Sequence, residues 1–202
     1  MAMLIKQTRR AVRSRTARLR QSVVENSPSW ARAHLGRPAA YLELMLADHG
    51  IFRFFYLNRH RLSKCAWRAA QPAPSDIRRF ARKGIRTVVN LRGPRDCSSF
   101  ELEQEACAKR GIKLIYYQVR SRAAPSVREI KGAKALFEEI EYPVLLHCKS
   151  GADRAGLMSA LYMHFHEGKP IEEAKRQLSL RYGHIKEKET GQLQDEGMRP
   201  GV

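Results

Sequence analysis

The chain has 202 residues, of which 43% are hydrophobic and 29% are charged. These proportions are ordinary for soluble globular proteins, so the composition excludes wholesale disorder and a fibrous repeat. The 38 Lys and Arg residues outnumber the 20 Asp and Glu residues and give a net charge of +18. Such an excess favours anionic partners: phosphates, nucleic acid or an acidic membrane surface.

The four cysteines are too far apart in sequence for the spacings typical of a metal site, so we expect no metal and no disulfide scaffold. They are Cys65, Cys97, Cys107 and Cys148. The N-terminus lacks the apolar run of a secretory signal, and no uncharged stretch of about 18 residues is present to span a bilayer. We therefore expect a cytoplasmic protein with free thiols.

Charge and hydropathy divide the chain into four segments. Residues 1–40 form a basic arm, in which the stretch 4–20 carries seven Lys and Arg residues and no acid. Residues 41–64 are rich in large apolar side chains and predict a helix and turn that dock on the core. Residues 65–186 carry regular secondary-structure patterns, whereas residues 187–202 have no periodicity and predict a flexible tail.

Strands and helices alternate in the patterned segment. Apolar runs predict strands over residues 87–91, 114–119 and 143–147. Helices are predicted after Pro74, after the capping-box pairs Ser98/Glu101 and Ser126/Glu129, after the third strand, and after Pro170. This order predicts a single α/β domain: a central, mostly parallel sheet of four to five strands flanked by helices, with a basic N-terminal helical extension. Ligands are then expected beyond the carboxyl ends of the central strands.

The strongest chemical signal follows the third strand, in the run from His147 to Gly156, HCKSGADRAG. A cysteine at a strand-to-helix turn faces unpaired backbone N–H groups and the positive end of the helix dipole, which favours the nucleophilic thiolate. The same N–H groups bind a tetrahedral oxoanion, and a guanidinium can fork onto two phosphate oxygens. The sequence therefore places a nucleophile, Cys148, and a phosphate-binding group, Arg154, at one site.

This run resembles the signature of the cysteine-dependent protein tyrosine and dual-specificity phosphatase superfamily: His-Cys, five residues that include a Gly, then Arg. The resemblance covers about residues 66–185. It implies a tyrosine phosphatase-like fold and a phosphoric monoester hydrolase that forms a phosphocysteine and needs no cofactor. It also implies that Cys148 is the nucleophile, that Arg154 binds the phosphate, and that His147 supports the loop. The remaining phosphate-binding residues would be Lys149, Ser150, Gly151, Ala152, Ala155 and Gly156.

Two positions depart from the family pattern. Residues 120–126 contain no acid, although many members carry their general acid there. Asp153 is the candidate instead, because myotubularin-like, Sac-type and some bacterial phosphatases are similar in having an Asp inside the loop. Its alternative role is structural, capping the helix or pairing with an arginine, and Asp96 is the second candidate acid. Ala155 stands where the family usually has a Ser or Thr that eases breakdown of the phosphocysteine, which leaves a phosphate-binding pseudophosphatase as an alternative.

The basic arm has four interpretations: an amphipathic helix on an anionic membrane, a nucleic-acid-binding segment, a transit segment, or a disordered tail. The first favours a peripheral membrane protein that acts on a lipid phosphate; the alternative substrate is phosphotyrosine or another phosphoprotein group. A nucleic-acid-end phosphatase or binder is disfavoured because only Trp30 and Tyr41 lie nearby for base stacking.

Overall fold

The computed structural model describes residues 57–95, 97–120 and 124–185. The predictions for the arm 1–40 and the tail 187–202 lie outside these ranges, as do most of segment 41–64 and the candidate acid Asp96. None of the helices within the described ranges has the length and apolarity needed to span a bilayer.

Five strands and five α-helices make up the described chain. In order they are β1 (His60–Arg61), β2 (Ala66–Ala69), α1 (Pro74–Arg82), β3 (Thr87–Asn90), α2 (Ser98–Ala108), β4 (Lys113–Tyr116), α3 (Val127–Glu139), β5 (Val144–His147), α4 (Asp153–Phe165) and α5 (Ile171–Ala174). Two 3₁₀ turns, Lys175–Gln177 and Leu180–Tyr182, follow α5.

The strands form one sheet in the order β1-β2-β5-β3-β4. Every pair is parallel except β1 with β2, so the predicted α/β fold with a mostly parallel sheet is confirmed. β5 is the central strand. Its last residue, His147, lies in register with Ala69 on one side and Asn90 on the other. The chain that leaves β5 at Cys148 therefore starts from the middle of the carboxyl edge.

Helices cover both faces of the sheet, and the central strand is buried on each. Because successive side chains of a strand point to opposite faces, Leu145 packs with Ile77 and Phe80 of α1, whereas Leu146 packs with residues of α3 and α4 that include Phe137 and Leu157. All four residues of β5 are buried, which explains its continuous apolar run.

One of the two predicted capping boxes forms. At the start of α3, Glu129 N donates to Ser126 Oγ at 3.3 Å and Ser126 N donates to Glu129 Oε2 at 2.7 Å. The other prediction, Ser98 with Glu101, is wrong. α2 begins one residue earlier than expected, with Cys97 as its N-cap and without a side-chain cap. Ser98 is therefore already the first helical residue and does not occupy the N-cap position.

Two regions differ from the strand and helix predictions. Residues 57–64, the described part of segment 41–64, contain strand β1 in place of the expected helix and turn. Strand β2 follows directly and was not predicted, because the buried Arg68 interrupts its apolar pattern. The helix expected after Pro170 stops at Ala174 and gives way to the 3₁₀ turns. The carbonyl of Gln177 bonds to Arg68 Nη1 at 2.7 Å, so a side chain far away in sequence replaces the helical donor.

Candidate active site

The loop Cys148–Ala152 joins β5 to α4 at the centre of the carboxyl edge. Cys148 is the first residue after the strand and is buried, with 2% of its surface exposed. Arg154 is the second residue of α4 and is partly exposed. Its side chain makes no hydrogen bond to the described residues. The predicted strand, loop and helix are therefore present.

Four consecutive carbonyl groups of the loop accept hydrogen bonds from outside it. Lys149 O accepts from Gln71 N at 3.3 Å and Ser150 O from Asn58 Nδ2 at 3.0 Å. Gly151 O and Ala152 O both accept from Arg68 Nη2, at 2.7 and 3.0 Å. The loop is thus held through its carbonyl oxygens along its whole length.

These bonds fix the direction of the loop N–H groups. In a trans peptide the N–H points away from the carbonyl of the preceding residue, so the N–H groups of residues 150–153 face the side opposite the donors. At the start of α4, the first backbone bond runs from Gly156 N to Ala152 O at 2.8 Å, which leaves the N–H groups of residues 153–155 without a helical acceptor. N–H groups in this arrangement can bind a tetrahedral anion, and the helix dipole favours its negative charge.

Arg68 and Asn58 hold the C-terminal segment as well as the loop. Arg68 is fully buried, its Nη1 donates to Gln177 O, and its guanidinium lies 4.3 Å from the centre of the Tyr182 ring. Asn58 Nδ2 also donates to Tyr182 O at 2.8 Å. Arg68 and Asn58 therefore link three stretches of the chain: the region of β1 and β2 to which they belong, the loop after β5, and residues 177–182.

Gly151 and Gly156 are needed because other atoms lie against their backbone. Gly151 has a φ of +75°, and a Cβ there would lie 2.7 Å from Ala70 N. At Gly156 a Cβ would lie 3.0 Å from Leu178 Cδ2 and 3.1 Å from Gln177 O. The first glycine lets the loop approach β2, and the second lets α4 approach the segment after α5.

Behind the loop, His147 belongs to a buried polar network. Its Nε2 lies 2.7 Å from Glu103 Oε1 on α2, and both side chains are 0% exposed. Asn90 Nδ2 donates to the other oxygen, Glu103 Oε2, at 2.6 Å. Burial, assisted by the charge of Glu103, raises the pKa of the neighbouring Cys107 thiol to about 12. The network links the ends of β3 and β5 to α2, which suits the predicted supporting role of His147.

Asp153 has neither of the structural roles that the sequence suggested for it. It is the first residue of α4, where Ala152 is the N-cap without a side-chain cap. Its Oδ1 lies 2.9 Å from His184 Nδ1, and its side chain remains 37% exposed. The partner is thus a histidine rather than an arginine.

The other predicted loop residues differ in exposure. Lys149 is partly buried, and Ser150 is exposed and accepts from Ala152 N through its Oγ at 3.4 Å. Ala152 is buried, and the methyl group of Ala155 is 0% exposed and packs in the core. Position 155, where the resemblance implied a Ser or Thr, is therefore a core position in this chain.

Several residues that shape the loop and its surroundings were not predicted from the sequence. They are Asn58, Arg68, Gln71, Glu103 and His184. Only Arg68 gave a signal, a lone charge within the apolar run AWRAA. The others lie in stretches whose local pattern is ordinary.

One family model matches the chain, and solved structures share its fold. A family model described as "DSP-PTPase phosphatase fused to NAD+ Kinase" matches residues 57–198. Among curated proteins, none matches the chain by sequence.

Three solved structures illustrate the structural likeness. Tk-PTP in its active form is 20% identical with a TM-score of 0.53, over 71% of this chain and 97% of that one. P. aeruginosa TpbA in complex with pTyr is 20% identical with a TM-score of 0.51, over 63% and 75%. PTPMT1 in complex with PI(5)P is 17% identical with a TM-score of 0.50, over 69% and 94%. At these identities the likeness establishes the fold.

Proposed function

This chain belongs to the family described as DSP-PTPase phosphatase fused to NAD+ kinase, and on that premise we propose that it hydrolyses phosphate monoesters through a phosphocysteine at Cys148. The observation that carries the proposal is the outward tethering of four successive loop carbonyls, from Lys149 to Ala152. With the carbonyls held in this way, the loop N–H groups would face the space above the cysteine and hold the three equatorial oxygens of a phosphoryl group in the transition state.

In the first step, the Cys148 thiolate attacks phosphorus in line with the ester oxygen. The S–P bond forms, the P–O ester bond breaks, and its electron pair leaves on the ester oxygen. Arg154, whose guanidinium makes no hydrogen bond to the described residues, would fork onto two of the phosphoryl oxygens. The loop N–H groups would share the remaining charge.

The leaving oxygen needs a proton, and Asp153 is the group that we propose for it. Its carboxyl lies at the start of α4 beside Arg154 and is partly exposed. In the second step the resulting carboxylate would accept a proton from water as the water oxygen attacks phosphorus. The S–P bond then breaks, which releases inorganic phosphate and restores the thiolate.

The proposed substrate is a phosphate monoester on a protein or on a lipid head group. Solved relatives of the same fold include one complex with pTyr and one with PI(5)P. The net charge of +18 favours either anionic substrate. For a lipid, the seven cations of residues 4–20 would hold the enzyme at an anionic bilayer, each contributing about 1 kcal/mol.

The decisive experiment compares variants on p-nitrophenyl phosphate, phosphotyrosine peptides and phosphoinositides. Cys148→Ser should abolish turnover and retain binding of inorganic phosphate, whereas Arg154→Ala should weaken both. Cys65→Ser is the matched control, because Cys65 lies at the opposite end of β2, where its carbonyl accepts from Val144 N at 2.8 Å. Persistent turnover in Cys148→Ser would refute the phosphocysteine.

A binding protein without turnover is the second candidate, favoured by the buried methyl group of Ala155. It predicts that the wild-type chain binds phosphate but hydrolyses no member of the substrate panel.

Cosedimentation of the full chain with phosphatidylserine vesicles, with and without charge-neutralising substitutions in residues 4–20, tests the proposed membrane association separately.

A further inference from the structure

His184 is the one side chain, within the described ranges, that forms a hydrogen bond with the carboxyl of the proposed acid. Its Nδ1 lies 2.9 Å from Asp153 Oδ1 across a separation of 31 residues. His184 is 4% exposed, whereas the Asp153 side chain is 37% exposed. A buried ring therefore holds a carboxyl group that itself faces solvent.

The backbone holds His184 firmly in this place. Gly183, with a φ of +74°, ends the second 3₁₀ turn, and His184 N donates to Ser179 O at 3.2 Å. Two residues before His184, the carbonyl oxygen of Tyr182 accepts a hydrogen bond from Asn58 Nδ2. The same Nδ2 also donates to Ser150 O in the loop. The same side chain thus bonds to the phosphate-binding loop and to the backbone two residues before His184.

The contact remains favourable in both states of an acid catalyst. A carboxylate oxygen accepts hydrogen bonds, and so does the carbonyl oxygen of a protonated carboxyl group. A neutral His184 with its hydrogen on Nδ1 therefore donates to Oδ1 before and after proton transfer. Oδ2 has no hydrogen-bond partner among the described residues and is left to exchange the proton.

We propose that His184 is a positioning residue, which orients Asp153 so that Oδ2 gives its proton to the leaving oxygen and takes one from water. The inference rests on the proposed function, since it assigns to His184 a share in the same reaction. Without the imidazole, the partly exposed carboxyl would sample several rotamers, and small misplacements of a catalytic group are costly in rate.

The test compares kcat/KM, which reports on cleavage of the ester bond, for an alkyl phosphate and for p-nitrophenyl phosphate. The alkyl leaving group needs a proton, whereas p-nitrophenolate leaves without one. His184→Ala should lower the alkyl value about 10-fold and change the aryl value about 2-fold at most. A merely structural role would lower both equally, and that result would overturn the inference.

Two amide variants identify the nitrogen that matters. His184→Asn places its Nδ2 near the position of the imidazole Nδ1 and should restore most of the alkyl activity. His184→Gln places its Nε2 near the position of the other ring nitrogen and should not. Equal rescue by both variants would contradict the assignment of Nδ1.

The imidazole ¹⁵N shifts of the wild-type chain give a readout that needs no folded variant. The inference requires a hydrogen on Nδ1 of His184 at neutral pH, and a ring with a bare Nδ1 would refute it. Asp153→Asn separates the two proposals. If Asp153→Asn lowers turnover of the alkyl phosphate selectively and His184→Ala does not, only the proposed role of His184 is refuted. If Asp153→Asn has no selective effect, Asp153 is not the general acid, and the inference about His184 is refuted as well.

Discussion

Arg68 Nη2 donates to the carbonyl oxygen of Gly151 over 2.7 Å, and this bond joins β2 to the loop after β5 across 83 residues of sequence. The Arg68 side chain is fully buried, and backbone carbonyl oxygens and the face of the Tyr182 ring are among the groups that surround its charge. A residue outside the signature thereby controls the shape of the signature loop.

Loss of the Arg68 guanidinium should lower both the stability of the fold and the phosphatase activity. Arg68→Met takes the donor away from the carbonyls of Gly151, Ala152 and Gln177. Buried acceptors without partners are costly, so we expect the free energy of unfolding to fall by about 3 kcal/mol and phosphatase kcat/KM to fall about 100-fold or more. Urea unfolding and turnover assays measure the two effects.

The control for this variant is Arg61→Met on the neighbouring strand. Arg61 is exposed and donates from Nε to Ser63 O at 2.8 Å. Its loss should change stability by about 0.5 kcal/mol or less and leave activity unaltered. Similar losses in both variants would refute the special role of Arg68.

Gly151→Ala should displace the loop. A Cβ at this position meets backbone atoms of Ala69 and Ala70 at 2.8 and 2.7 Å, which cannot move without shifting β2. We expect a marked loss of phosphate affinity, measured by calorimetry. Gly111→Ala is the matched control, since its φ is also positive, at +63°, but nothing lies within 4 Å of the new Cβ. It should cost about 1 kcal/mol of left-handed strain and leave phosphate binding intact.

The buried carboxylate of Glu103, behind the loop, should contribute far more to the free energy of unfolding than the partly exposed carboxylate of Glu105 on the same helix. Glu103→Ala leaves Asn90 without its acceptor and His147 without the carboxyl oxygen that lies 2.7 Å from it, and we expect a loss of about 3 kcal/mol in unfolding free energy. Glu105→Ala removes a surface ion pair with Lys109 and the other contacts of a partly exposed side chain, and it should cost about 1 kcal/mol or less. Equal stability of the two variants in urea would contradict the buried network.

The capping box of α3 should make stability depend on pH in the acid range. Burial raises the pKa of Glu129, but hydrogen bonds from Arg120 and Ser126 outweigh it and hold the pKa at about 2, below the ordinary 4.5. Because the folded pKa is depressed, the stabilisation is complete above pH 4.5 and is lost as the pH falls toward 2.

Glu129→Gln tests this dependence directly. At pH 6 it should lower the free energy of unfolding by about 1 kcal/mol, and its difference from the wild type should shrink as the pH is lowered toward 2. Glu138→Gln, an exposed change on the same helix, should show no such convergence in urea titrations at several pH values.

Local pattern predicted much of the fold because burial imposes it directly on the sequence. The run PVLLH correctly predicted the central strand, and the pair Ser126 and Glu129 correctly predicted the start of α3. The local pattern failed where residues have partners far away in sequence. The buried Arg68 interrupted the apolar run of β2, and the last helix ended at Ala174, before the residue whose carbonyl accepts from Arg68, Gln177. Tertiary contacts outweighed local preference at both places.

By itself, the sequence determined that Cys148 and Arg154 flank a glycine-containing turn between a buried strand and a helix, because periodicity and spacing are properties of neighbouring residues. Only the tertiary structure decided which way the peptide groups of that turn point, because Asn58, Arg68 and Gln71 bind its carbonyls from β2 and its flanking residues. It also brought His184 to Asp153. Hydrogen bonds between residues remote in sequence leave no periodic trace, so such partners emerge only when the chain is folded.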